Sequence, residues 1–253
     1  MLDSLYTAAS GMLAQQMALD VTANNLANVN TVGFKAGRAA FEDLLYTQLN
    51  ARDATKQGNE MGLGTALSAV QAQMDGGQAQ TTGRALDVRI DGSGFLRVRQ
   101  ADGSTAYTRA GNLDVDGLGQ IVTAAGDIVQ PRIVVPTGSS DLSIDATGVV
   151  RASVAGKPAT LGQLQVAVFA NPAGLDQIGG NKFAETVNSG AARTVAPNTG
   201  GAGAIASGQL EMANVNAVDE MVTMITTQRA YESVAKVVSA SDEMLNTANQ
   251  LRR

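Results

Sequence analysis

Apolar residues at both ends of this chain recur at alternating steps of three and four. Near the start the series is Leu2, Leu5, Ala9, Met12, Gln16, Leu19, Ala23 and Leu26. Near the end it is Met224, Thr227, Tyr231, Val234, Val238, Ser241, Leu245 and Ala248. Such spacing lays a narrow stripe along one side of a helix, the seam pattern of a coiled coil. Each stripe needs cover, and the opposite terminus is the obvious source of it. The two ends are therefore expected to pair as a helical stem, the arrangement of a subunit that polymerises through its termini.

The C-terminal helix has the clearer limits. From Gln209 to Arg253 neither Gly nor Pro occurs. Asn216 followed by Asp219 approximates a capping box, and Asp219 and Glu220 suit the positive end of the helix dipole. Arg252 and Arg253 suit the negative end. A helix over about 217–250 would be roughly 50 Å long and marginal in water without a partner. The N-terminal helix is expected over 2 to about 28. It closes in the Asn24-Asn25-Leu26-Ala27-Asn28 run before Gly33, residue types that tolerate the left-handed conformation of helix ends. These asparagines either terminate the helix or bond between subunits; both readings stand.

Between the helices the period changes to two. Leu86, Val88 and Ile90 alternate with Asp87 and Arg89, and Leu96 and Val98 alternate with Arg97 and Arg99. Asp91-Gly92, Asp102-Gly103 and Asp116-Gly117 punctuate the runs as turns. This predicts an antiparallel sandwich or barrel-like β-domain. Phe34 to Gln48, with Phe41, Leu44, Leu45 and Leu49 nearby, reads as a short helix or an extended arm. Residues 50–83 read as an irregular connector or a long hairpin, and 170–208 as a segment returning the chain to the base. The expected fold is thus α+β, with paired terminal helices, an extended connector and a central antiparallel β-rich domain. Its boundaries are a core helix over 1–30, a connector over 31–84, a β-rich outer domain over 85–208 and a core helix over 209–253.

Composition narrows the chemistry. The chain has 44% hydrophobic residues but only 4% aromatics and no Trp, so its core is built from small aliphatic contacts. A net charge of −5 and a pI near 4.8 oppose a nucleic-acid surface, which would be basic. Cys and His are both absent. Disulfides, ordinary zinc sites, Ser-His-Asp triads and Cys-His pairs are therefore excluded. Asp114 and Asp116 stand two apart, as a glycosidase-like carboxylate pair might on a strand. However, Asp116-Gly117 is a turn signal, and an enzyme is not expected. Asp91, Asp102 and Asp116 lack calcium-loop spacing, and no cofactor or metal is expected. Asp3 stands where a signal peptide would be basic, and no apolar run approaches the ~20 residues that span a bilayer. Any export is expected without signal cleavage.

Several runs resemble the axial proteins of the bacterial flagellum, the rod and hook subunits. At the N-terminal end they are Ala9-Ser10-Gly11-Met12, Asn24 to Thr31, Gly33-Phe34-Lys35 and Phe41-Glu42-Asp43-Leu44-Leu45. At the C-terminal end they are Asn214-Val215-Asn216, Gln228-Arg229-Ala230-Tyr231-Glu232 and Asp242-Glu243-Met244-Leu245. In the middle they are Leu86-Asp87-Val88, Gly94-Phe95, Tyr107-Thr108-Arg109 and Val122-Thr123. Size and middle segment are most similar to the distal rod branch; proximal rod subunits and a secreted fibre subunit of another system are the alternatives. The resemblance implies a hollow helical homopolymer crossing the periplasm as a drive shaft. It also implies neighbouring rod and hook proteins, an outer-membrane and peptidoglycan ring bushing and the flagellar export apparatus as partners. On this reading the assembly interface comprises Leu2, Leu5, Met12, Leu19, Asn24, Asn25, Leu26 and Asn28 with Met224, Gln228, Tyr231, Val234, Val238 and Leu245. No nucleic acid and no membrane insertion are implied.

Overall fold

The computed structural model describes residues 2–44, 46–48 and 60–251. The chain is α+β and divides into two compact units. One comprises Met1–Ala27, Gly37–Ala72 and Asn216–Arg253; the other comprises Asn28–Ala36 and Gln73–Val215.

The first unit holds α1 (Leu2–Ala27), β1 (Gly37–Asp43), β2 (Tyr46–Gln48), β3 (Glu60–Gly62), β4 (Thr65–Ala72) and α2 (Ala217–Leu251). At its start α2 is capped as its sequence suggests. The Val218 N–H donates to Asn216 Oδ1 at 3.1 Å, and the Glu220 N–H donates to the Asn216 carbonyl at 3.0 Å. Asp219 and Glu220 occupy its first turn. Arg252 and Arg253 lie outside the described residues.

Segment 34–48 is extended rather than helical where it is described; Leu45 and Leu49 lie outside it. β1 pairs antiparallel with β4, Gly37 opposite Ala72 and Asp43 opposite Thr65, with the register shifting between Ala40 and Phe41. β2 and β3 continue the ribbon, Tyr46 opposite Gly62. Local preference in this stretch is weak, and the strand partner decides its conformation.

One side chain ties helix and ribbon together. Asn25, buried in the last turns of α1, accepts the Gly37 N–H at its Oδ1 (2.8 Å) and donates from Nδ2 to the Gly37 carbonyl (2.9 Å). Its carboxamide thus satisfies both backbone groups of the residue that opens β1, as a neighbouring strand would. Nδ2 also donates to Glu220 Oε1 on α2 at 3.1 Å.

The second unit is built from short strands. In chain order they are β5 (Ala79–Thr81), β6 (Val88–Asp91), β7 (Phe95–Arg99), β8 (Thr105–Thr108), β9 (Leu113–Val115), β10 (Ile121–Thr123), β11 (Ile128–Gln130) and β12 (Ser140–Ile144). These are followed by β13 (Val149–Val154), β14 (Lys157–Gln163), β15 (Val166–Val168), β16 (Asp176–Gly179), β17 (Lys182–Ala184), β18 (Arg193–Val195), β19 (Ala204–Ser207) and β20 (Gln209–Glu211). The main sheet runs β16-β17-β8-β7-β11-β10-β9, with β15 joining β7 to β18; β12-β13-β14 form a separate meander. The pairings are antiparallel, as the two-residue period predicts. The main sheet is open and branched. The alternating residues fill the core: Val88, Ile90, Leu96, Val98, Leu113, Ile121 and Val129 are buried together.

Residues 170–208 are not a plain return segment, since β16 to β19 arise within them. Their strands have three or four residues, too few for alternation to register. Turn residues with positive φ, such as Asn181 at 54° and Gly180 at 61°, interrupt them instead.

Replacing Asn25 with Ala removes three hydrogen bonds and strands two backbone groups. Urea denaturation followed by circular dichroism should show a loss of about 2–4 kcal/mol.

Candidate assembly interface

In the first unit α1 and α2 lie against each other. The Asn25–Glu220 bond places the end of α1 beside the start of α2, so the two run antiparallel. The covered side of α2 follows the expected series: Met224, Val234, Val238 and Ser241 are half-buried and Thr227 is buried, with Tyr231 at the margin at 37% exposure. Gln228 is exposed.

On α1 only half of the expected stripe is covered. Leu5, Met12, Leu19 and Leu26 are half-buried, but Ala9, Gln16 and Ala23 are exposed. The second covered row is Ala8, Gln15 and Thr22. The physical reason is that α1 is covered on two sides. The ribbon approaches it at Thr7, whose hydroxyl donates to the Gly62 carbonyl (3.4 Å), and at Ser10, whose Oγ accepts the Thr65 N–H (3.3 Å). Two covers make a broad buried arc and rotate it away from a simple seam.

The remaining candidates separate. Asn25 is engaged within the chain as described above. Asn24 is on the exposed side of α1, and Asn28 belongs to the second unit, where its Oδ1 accepts the Thr31 hydroxyl at 3.2 Å. The side chains of Leu2 and Leu245 lie outside the described residues.

The second unit holds a charged cluster that sequence reasoning did not single out. Glu211, on β20, is only 2% exposed. Lys35 Nζ donates to its Oε1 at 2.6 Å and to the Asp75 carbonyl at 2.6 Å. The Gly77 N–H donates to the same Oε1 (3.1 Å), and Arg109 Nη1 donates to Oε2 (3.1 Å). Arg109 further binds the carbonyls of Ile90 and Gly92 and lies 5.2 Å from the centre of the Phe95 ring. Burial opposes ionisation of Glu211, but the Arg109 charge and then the Lys35 ammonium outweigh it, holding the carboxyl below its ordinary value. Burial lowers Lys35 and Arg109 as well, against the pull of Glu211.

Close by, the Gly33 N–H donates to the Glu211 carbonyl at 2.8 Å. Gly33 has φ +70°, and a Cβ there would fall on the backbone of Arg109 and Ala110. Asn214 completes the junction: its Oδ1 accepts the Ala36 N–H (2.7 Å) and its Nδ2 donates to the Gln73 carbonyl (2.8 Å). Segments 33–36, 73–77, 109–110 and 211–214 are thereby tied in one place. Three residues, Gln209-Leu210-Glu211, carry too little pattern to signal a strand or a buried carboxylate.

The Asp114–Asp116 pair has other occupations. Asp116 Oδ1 accepts the Leu118 and Gln120 N–H groups across its turn, and Asp114 meets Arg84 at 3.2 Å. Among the described residues no group of three or more acidic side chains is placed to hold a metal, and no helix is long and apolar enough to cross a membrane.

Comparison with known proteins matches three stretches of the chain to family models. Residues 5–35 match the flagella basal body rod protein family, 89–152 the flagellar hook protein FlgE/F/G D1 domain and 206–251 the flagellar basal body rod FlgEFG protein C-terminal family. The chain is 42% identical over 261 residues to the flagellar basal-body rod protein FlgG of Caulobacter vibrioides, covering 99% of this chain and 100% of that protein. It is 43% identical over 264 residues to FlgG of Borreliella burgdorferi, covering all of both. To the flagellar basal-body rod protein FlgF of Escherichia coli it is 35% identical over 260 residues, covering 98% and 97%.

The cluster makes stability pH-dependent. Because the folded Glu211 carboxyl sits below its unfolded value, its contribution is complete above the unfolded pKa and is lost as pH falls through the lower, folded one. Glu211→Gln leaves two buried cations uncompensated and should cost about 3–5 kcal/mol at pH 7. Urea midpoints at pH 7 and pH 3 should differ less in this variant than in the parent.

Proposed function

The chain belongs to the flagellar basal-body rod protein family, and on that footing we propose that it is a structural subunit of the distal rod, polymerising through α1 and α2 into the shaft that carries torque from motor to hook. The observation that carries the reading is that both terminal helices, in the stretches matching rod families, occupy one unit and cover each other. The full-length relatives named FlgG favour the distal branch.

In this proposal the antiparallel helices form a coiled-coil seam within each copy, from Leu5, Met12, Leu19 and Leu26 against Met224, Tyr231, Val234 and Val238. Copies join through heterologous contacts, which repeat without closing and so build a helical tube. Partners are further copies, the adjoining rod and hook subunits, the ring bushing and the export apparatus; the location is the periplasmic part of the basal body. The stem is loosely ordered before assembly, because apolar residues on its free faces gain cover only from neighbours, at ~1.5–3 kcal/mol per well-buried Leu or Val. Such looseness suits passage through a narrow export channel.

The test is recovery of the full-length chain in isolated basal bodies, from cells whose own distal rod gene is deleted. Incorporation with restored hooks supports the reading, whereas a soluble chain and hookless cells contradict it. Leu26→Asp and Val238→Asp should each abolish incorporation while the β-unit keeps its strand signal in circular dichroism. Helical signal of the free chain should rise on assembly; equal helicity before and after would remove the ordering step.

A further inference from the structure

The seam occupies one side of each stem helix, and apolar residues also stand on the other side. On α2, Val218, Met221, Val222 and Ile225 fall at i, i+3, i+4 and i+7, which places them on one face of its first two turns. They are exposed, Val218 at 66% and Ile225 at 52%, and they point away from the covered row through Met224 and Thr227. On α1, Tyr6, Leu13 and Met17 form a second exposed row, with Tyr6 at 77% and Leu13 at 57%. Isolated exposed apolar residues are ordinary, but a four-residue helical patch is the anchor pattern of a helix that docks.

The two patches stand at different levels of the stem. The Asn25–Glu220 bond fixes the antiparallel alignment, so the α2 patch is level with the last turns of α1. The α1 row is centred some eleven residues lower, on the order of 17 Å along the axis at 1.5 Å per residue. A second copy in the same orientation, slid by that distance, brings its α2 patch level with the α1 row of the first. Each copy then offers one patch upward and one downward, so the contact repeats rather than closes.

A lipid surface is the poorer occupant. Helices that lie on membranes flank their apolar face with Lys and Arg, whereas α1 carries neither and has only Asp3 and Asp20 as charges. We infer that the contact between successive copies is made by the Val218, Met221, Val222 and Ile225 face of α2 against the Tyr6, Leu13 and Met17 face of α1 in the next copy, the seam residues being occupied within each copy. The inference rests on the polymerising role proposed above and names the faces that carry it.

The absence of cysteine from the chain makes the test clean. Full-length Leu13→Cys/Met221→Cys, the pair that this slide brings level, is assembled in cells, and isolated basal bodies are treated with a mild oxidant. The expected result is a ladder of dimer, trimer and larger species on non-reducing gels, with neither single variant passing the dimer. Monomer alone in basal bodies that contain the chain overturns the faces but leaves the polymer intact. A product stopping at dimer overturns the open contact. A chain absent from basal bodies removes the polymerising role and this inference together. As a second measurement, Ile225→Glu should leave the free chain's circular dichroism unchanged yet lower its incorporation by at least about tenfold. Normal incorporation of that variant also overturns the assignment.

Discussion

The carboxylate of Glu211 is the point on which the β-unit turns. A buried charge costs several kcal/mol to desolvate and is tolerated only where partners and hydrogen bonds surround it. Here the partners come from separate stretches: Lys35 before the ribbon, Gly77 after it and Arg109 from the turn that follows β8. None of these is near Glu211 in sequence. The charge can be satisfied only when every stretch is in place, so the cluster specifies one arrangement of the segments where the chain enters and leaves the unit. Gly33 completes the arrangement with a backbone bond and Asn214 with its carboxamide, and a side chain at Gly33 would collide with the Arg109–Ala110 backbone.

The stem has a different logic. α1 is covered from two sides, by α2 and by the ribbon, and Asn25 joins all three through one carboxamide. That carboxamide adds a directional bond to the apolar contact between the helices. α2 has fewer covers within the chain, and apolar residues stand on the face it leaves open. A helix with apolar residues on two sides is unsuited to a finished monomer. It suits a subunit of the rod family, in which further copies supply what one chain lacks.

Much of this was legible in the residues. The series through Met224, Thr227 and Val238 marks the covered side of α2, and Asn216 marks its start. Alternation at Val88–Ile90 and Leu96–Val98 marks buried strands, with Asp-Gly turns between. Half of the α1 stripe was misplaced, because Ala9, Gln16 and Ala23 continue the spacing without being covered. Periodicity records a preference for an apolar side; it does not record how many neighbours share that side. The strands after Asp176 escaped notice because three residues carry too little pattern. Glu211 escaped because the sequence places 209–253 with the C-terminal core helix, whereas Gln209–Glu211 form β20, and its partners lie far away in the chain.

The chain's own order of residues determined the local elements: two long amphipathic helices, a run of short antiparallel strands, and a chemistry without Cys or His. These follow from side-chain period, capping and the intrinsic groups present, all of which act over a few residues. Only the tertiary structure decided that the ribbon shares α1 with α2, that Asn25 serves a strand, that Lys35 and Arg109 meet on one carboxylate, and which apolar face of α2 stays open. Each of those depends on groups twelve to nearly two hundred residues apart, and contacts of that range exist only once the chain has closed on itself.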